Sequence, residues 1–246
     1  MQPLFRLPVL AKILGLFAAA AVSWILASPS AAAPLVVSIG TGGDVRLVGG
    51  KTEIGHVAPG MFEAGWQGAG YVACNPKDNR PGQYRGRLRG KGGLVESQLR
   101  TADVPQGISL AYTLTPKAPL RLQILHVTVD LAEQALAGQA YECDGVRGVI
   151  PAKLGRTQIF SKRIRRLSLA TRTGGPIGIE FAAPTQVLLQ DNRQWQPSFA
   201  VRIGEPSDPN KPVEVDVPAK IAFSLTRPEG LTVDYDAPVV LAAGPD

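Results

Sequence analysis

The sequence predicts an all-β chain, a single large antiparallel β-sandwich with at most one short helix. Three observations carry that expectation. Apolar and polar residues alternate with a period of two in one stretch after another; Gly-, Pro-, Asn- and Asp-rich segments punctuate those stretches; and a period of 3.6 is nearly absent. The whole chain of 246 residues is 45% hydrophobic and 19% charged with a net charge of +6, too apolar and too weakly charged for intrinsic disorder.

The first element is a leader. Arg6 and Lys12 precede an apolar run from Ile13 to Ala27, followed by Ser28, Pro29 and Ser30. This is the pattern of a secretory signal peptide over residues 1–32, with cleavage after Ala32. An uncleaved anchor is the alternative, but 15 residues fall short of the roughly 20 that a spanning helix needs. Removing residues 1–32, with their two bases and no acids, leaves 214 residues and lowers the net charge from +6 to +4. No comparable apolar run follows residue 34, so the expected location is secreted or periplasmic, with no stable membrane span after processing.

Residues 33–246 are expected to form one domain. Strands are predicted at Leu35–Ile39, Val45–Val48, Gln83–Arg89, Ile108–Thr115, Leu120–Val129, Ile164–Thr171, Ile177–Phe181, Gln186–Gln190, Phe199–Ile203, Lys220–Thr226 and Val239–Leu241. Within Leu120–Val129 the apolar positions change parity after Ile124, which predicts a bulge or burial on both faces. The one predicted helix is Asp130 to Ala137, with Asp130 as its N-cap, Glu133 three residues on, and Gly138 as its stop. Turn chemistry fills the gaps, as in Thr41-Gly42-Gly43-Asp44 and Pro206-Ser207-Asp208-Pro209-Asn210. The two cysteines of an exported chain, Cys74 and Cys143, are expected to form a disulfide.

Two segments carry a family resemblance. Ala111-Tyr112-Thr113-Leu114-Thr115, then Leu122-Gln123-Ile124-Leu125-His126-Val127 and the excursion from Asp130 to Gly138, resemble the galactose-mutarotase-like β-supersandwich. The run from Pro184 through Gln190-Asp191-Asn192-Arg193-Gln194-Trp195, then Phe199 to Ile203 and Pro238 to Asp246, resembles the N-terminal β-sandwich module of secreted bacterial glycoside hydrolases. The resemblance implies an accessory role beside a hydrolase barrel, with a carbohydrate or polysaccharide as ligand and a glycoside hydrolase catalytic domain as partner. The expected function is therefore a secreted, non-catalytic carbohydrate-associated module. Two alternatives stay open: a small carbohydrate-active enzyme such as an epimerase or lyase, and a structural envelope module that binds proteins.

The chemistry in the sequence is sparse. His56 and His126 are the only histidines. A mutarotase-like acid and base pair has to be assembled from His126 with Glu180 or Asp234, while a buried, hydrogen-bonded imidazole explains His126 as well. Asp234 and Asp236 lie about 7 Å apart on one face of an extended strand, a spacing that any polar outer face also produces. Nucleophile-elbow, zinc-peptidase and phosphate-loop motifs are absent from the sequence, so no catalytic residue, cofactor or metal is assigned.

Binding residues are better marked. Trp195 follows Gln190, Asp191, Asn192 and Arg193, an aromatic platform beside amide, carboxylate and guanidinium groups, and Trp66 sits between glycines. Either tryptophan serves equally well as a plug at the end of the core. Arg85, Arg87, Arg89 and Lys91 recur at every second position, so an extended strand shows four positive charges on one face. Such a comb suits sulfate or uronate groups of an acidic polysaccharide, and it also suits an edge or outer strand whose charges prevent pairing with another sheet. Nucleic acid is not an expected partner of an exported chain with a charge of +4.

Overall fold

The computed structural model describes residues 34–173, 175–205 and 211–236. The expected leader, the strand expected at Val239–Leu241 and the turn expected at 206–210 lie outside them.

Among the described residues, seventeen strands form: β1 Leu35–Ile39, β2 Val45–Gly49, β3 Thr52–Glu63, β4 Gln67–Gly68, β5 Gly70–Ala73, β6 Gln83–Arg89, β7 Leu94–Val104, β8 Gly107–Pro116, β9 Leu120–Ala132, β10 Ala140–Cys143, β11 Val146–Val149, β12 Gln158–Leu169, β13 Ile177–Asp191, β14 Ser198–Ile203, β15 Val213–Val215, β16 Ala219–Thr226 and β17 Thr232–Tyr235. One α-helix, α1 Glu133–Leu136, interrupts them between β9 and β10. It starts later than predicted. Asp130 is still in β9, the N-cap is Ala132 with no side-chain hydrogen bond, and the first helical N–H, that of Glu133, goes to the carbonyl of Pro197. Gly138 does end the segment in the left-handed conformation, at φ 76°. No helix among the described residues is long and apolar enough to cross a membrane.

The all-β expectation holds, but the strands build one large curled mixed sheet, a half-barrel rather than a sandwich. Hydrogen-bonded neighbours run β17, β1, β2, β3, β9, β14, β13, β16, β8, β7, β6, β5. The other edge of β13 carries β12, then β10 and β11. All pairs are antiparallel except β1 with β17.

β13 joins two arms of the sheet. Its C-terminal half pairs with β14, from Val187 opposite Ile203 to Asp191 opposite Phe199, whereas its N-terminal half pairs along the same edge with β16, from Gly178 opposite Thr226 to Glu180 opposite Ser224. Between the halves, Ala182, Ala183 and Pro184 are exposed, and Pro184 has no N–H to donate. β12 answers with a register shift between Ile164 and Arg166, and Arg165 donates to the carbonyl of Ala182 at 2.9 Å. The sequence reads this stretch as two strands because alternation lapses at the exposed residues. In the fold it is one bent strand shared by both arms of the sheet.

Val37, Leu47, Val57, Leu88, Leu110, Val129, Leu167, Leu189, Phe199 and Phe223 all belong to one buried cluster. Each such side chain contributes about 1.5–3 kcal/mol relative to exposure. The parity change in β9 proves to be both of its expected alternatives: the pairing with β3 shifts register between Phe62 and Glu63, and β9 is buried on both faces from Leu122 to Val127.

Candidate functional site

The turn that carries Trp195 follows β13 and is locked from within. Asp191 is fully buried (0% exposed) and the Arg193 side chain is 6% exposed. Arg193 Nε and Nη2 donate to the two Asp191 oxygens at 2.9 and 2.8 Å. Nη1 donates to Glu133 Oε1 at 3.1 Å and to the carbonyl of Ala152 at 2.9 Å, and Nη2 also donates to the carbonyl of Pro151 at 3.0 Å. All five guanidinium donors are thus satisfied inside the protein. The guanidinium carbon lies 4.8 Å from the centre of the Phe199 ring, adding a cation–π contact. Burial pushes the Asp191 carboxyl up, but the hydrogen bonds and charge of Arg193 outweigh it and hold the group below its usual range. Hydrogen bonding to Asp191 in turn raises Arg193.

This arrangement separates the residues that the sequence grouped around a ligand. Gln190, Asp191 and Asn192 are buried, and Gln190 Oε1 accepts from Arg202 at 2.9 Å. The Asn192 carbonyl accepts from the backbone N–H groups of Trp195 and Gln196, at 2.7 and 3.0 Å. Trp195 itself is 65% exposed. It is not a core plug. The polar groups at the surface beside it are Gln194, which the sequence run includes, and Gln196, which sequence reasoning passed over. Gln196 Nε2 donates to Asp130 Oδ2 at 2.6 Å and to the Ser198 hydroxyl at 3.0 Å. The missing signal lies in partners on other strands, which no local pattern contains.

Trp66 occupies a different place, the turn between β3 and β4, with a φ of 63°. It is 46% exposed and its ring is tilted on Phe62, with centroids 5.7 Å apart. Phe62 stacks on His126 at 5.6 Å and receives the Arg202 guanidinium at 5.0 Å from its ring centre. His126 is 4% exposed and faces Gly60, where a Cβ would stand 2.7 Å from Nε2, so only glycine leaves room for the imidazole. Burial, assisted by the positive charge of Arg202, lowers the His126 pKa to about 3. The ring is therefore neutral at physiological pH. Neither carboxylate considered as its partner is on a neighbouring strand: Glu180 in β13 accepts from Thr226 Oγ1, and Asp234 in β17 faces Ser38. His56 is exposed, opposite Arg46 and Asp130. Of Asp234 and Asp236, the latter is bound to Arg46 at 3.2 Å.

The comb on β6 forms as its period requires. Tyr84, Gly86 and Leu88 point inward, and Arg85, Arg87 and Arg89 point to solvent, with Lys91 exposed in the following turn. That turn is held by Glu63, whose carboxylate accepts the backbone N–H groups of Lys91 and Gly92 at 3.1 and 2.7 Å. β6 is not an edge. It pairs with β5 from Ala73 to Gly70 and with β7 over its whole length.

The expected disulfide does not form. Cys74 follows β5 and Cys143 ends β10, on different branches of the sheet, and both are free thiols. Burial pushes the Cys143 thiol up. A cleft of about 480 Å³ opens where β14 and β16 part along β13, lined by Leu122, Leu125, Arg163, Gln186, Val213 and Ile221.

No protein-family model matches the chain, and no curated protein matches it. Among solved structures, it is similar to the 4-alpha-glucanotransferase from Thermococcus litoralis, at 9% sequence identity and a TM-score of 0.35. The match covers 72% of this chain and 24% of that one, so this chain spans about a quarter of the length of its structural neighbour.

Proposed function

We propose that the chain is an exported, non-catalytic module that holds carbohydrate against Trp195 and works beside a separate hydrolase domain. The observation that carries this reading is an indole left 65% exposed on a turn that Arg193 locks with five side-chain hydrogen bonds. A rigid aromatic face in water costs little further entropy when a sugar ring stacks on it. Gln194 and Gln196 flank it with amides able to meet hydroxyls. The signal-peptide pattern over residues 1–32 supports export, and the resemblance of the Pro184 to Ile203 region to glycoside hydrolase accessory modules supports the partner.

Affinity electrophoresis tests the reading, with xylan, β-glucan, galactomannan and soluble starch each cast into a native gel. At least one polysaccharide should retard the wild type, and Trp195→Ala should migrate as it does in a sugar-free gel. Because the indole is exposed, the same variant should change unfolding free energy by no more than about 0.5 kcal/mol. A wild type that no polysaccharide retards, or a variant retarded equally, would overturn the proposal.

A further inference from the structure

The outer face of β6, β7, β8 and β16 carries more positive charge than the sequence comb alone. Residues directly opposite one another share a face, so Arg85 joins Gln98, Thr113 and Lys220 in one row across four strands. Arg87 joins Glu96 and Thr115 in the next. Arg100, opposite Gln83, stands diagonal to Arg85 at about 7–8 Å, and Arg85, Arg87 and Arg89 follow one another at about 7 Å along the strand. The acid in this field, Glu96, is already bound to Lys117 at 2.7 Å. Among the described residues, no carboxylate lies within ion-pair distance of Arg85, Arg87, Arg89, Lys91, Arg100 or Lys220.

Edge protection does not explain such a face. The strand that ends this arm is β5, four residues long and without a charge, while the arginines sit one strand inward where both neighbours are already paired. Solubility does not require it either, since interspersed signs serve that purpose without mutual repulsion. The charges therefore point to a ligand that is anionic, extended and repetitive.

We propose that this face binds a linear acidic polysaccharide bearing sulfate or carboxylate groups. Guanidinium forks meet such groups with two parallel hydrogen bonds, and Gln98 and Thr113 lie between the charges to meet hydroxyls. No aromatic side chain stands among the outward residues of these strands, so the face lacks the stacking platforms that single-stranded nucleic acid uses. It also lacks the apolar wedge of a membrane-inserting surface. The site is carried by other strands than Trp195 and does not depend on it.

The test measures retention on immobilised heparin and polygalacturonate, with dextran as the neutral control and duplex DNA and anionic phosphatidylglycerol vesicles as competitors. The face variant is Arg85→Gln/Arg87→Gln/Arg89→Gln. A control with the same charge change elsewhere is Arg147→Gln/Lys153→Gln/Arg156→Gln, three exposed positions outside the face. Thermal midpoints verify that both fold. The wild type should bind heparin or polygalacturonate with an affinity that falls steeply between about 50 and about 200 mM salt. The face variant should lose about tenfold or more, and the control much less, because charge-assisted bidentate pairs are lost only from the face. Trp195→Ala should leave this binding intact, so the failure of either proposal is visible in a separate measurement. Equal losses in the two triple variants, absence of acidic-polysaccharide binding by the wild type, or tighter binding to duplex DNA or vesicles would each overturn the assignment.

Discussion

Arg193→Ala is expected to destabilise the protein by about 3–5 kcal/mol, the range for breaking a buried ion pair from one side. The substitution strands the Asp191 carboxylate at 0% exposure and leaves the carbonyls of Pro151 and Ala152 without their guanidinium donor. It also removes the cation from the face of Phe199. Arg193→Lys should recover little, because one ammonium cannot reach the two Asp191 oxygens, Glu133 and two carbonyls from a single position. Glu133→Gln is the contrasting case. That carboxylate is 41% exposed, and water compensates most of the loss, leaving an effect below about 1 kcal/mol. Urea titrations at constant m-value report all three. An Arg193→Ala midpoint matching that of Glu133→Gln would show that the buried pair does not hold the turn.

Acid should destabilise the fold through His126 well before the carboxylates are fully protonated. The ring titrates near 6.5 when unfolded, and in the fold its pKa is lowered to about 3 by burial and then by Arg202. As pH falls below about 6.5, the unfolded chain takes up a proton that the folded chain refuses, so stability falls by about 1.4 kcal/mol per pH unit until about pH 3. Above about 6.5 this group contributes no pH dependence. Asp191 adds its own loss at lower pH, since a carboxyl held below its usual range stabilises only while ionised. The comparison that isolates the ring is His126→Gln, whose stability should decline about 2–3 kcal/mol less than that of the wild type between about pH 6.5 and about pH 4.5. Parallel curves for the two proteins would refute the assignment.

The sequence made the β6 comb legible because a strand writes its two faces into alternate letters, and Tyr84 to Arg89 obey that rule without exception. His126 was legible as a buried ring from its place within an apolar strand. β3 was not. Its Gly55, Pro59 and Gly60 read as loop, yet Pro59 pairs opposite Val127 and Gly60 is required by the imidazole beside it. β7 escaped because Ser97 occupies a core position and breaks the apolar alternation. The role of Arg193 escaped for a different reason. Only Asp191 is local, while Glu133, Pro151 and Ala152 come from segments about 40 to 60 residues away. Alternation likewise says which face of a strand is buried but not which strand lies beside it, so the change of neighbours along β13, and with it the half-barrel, is invisible to local pattern.

The parallel pair of β1 and β17 has a mechanical consequence. Val36 faces Thr232 and Ile39 faces Tyr235, so the two strands enter at one end of their ladder and leave at the other. The N-terminal end of β1 and the C-terminal end of β17 therefore lie at opposite ends of the ladder. Tension applied through both would load the ladder in shear, with its four registered pairs resisting together instead of opening one after another as in a zipper. Force between those two strand ends would thus be shared by the backbone hydrogen bonds of the whole ladder.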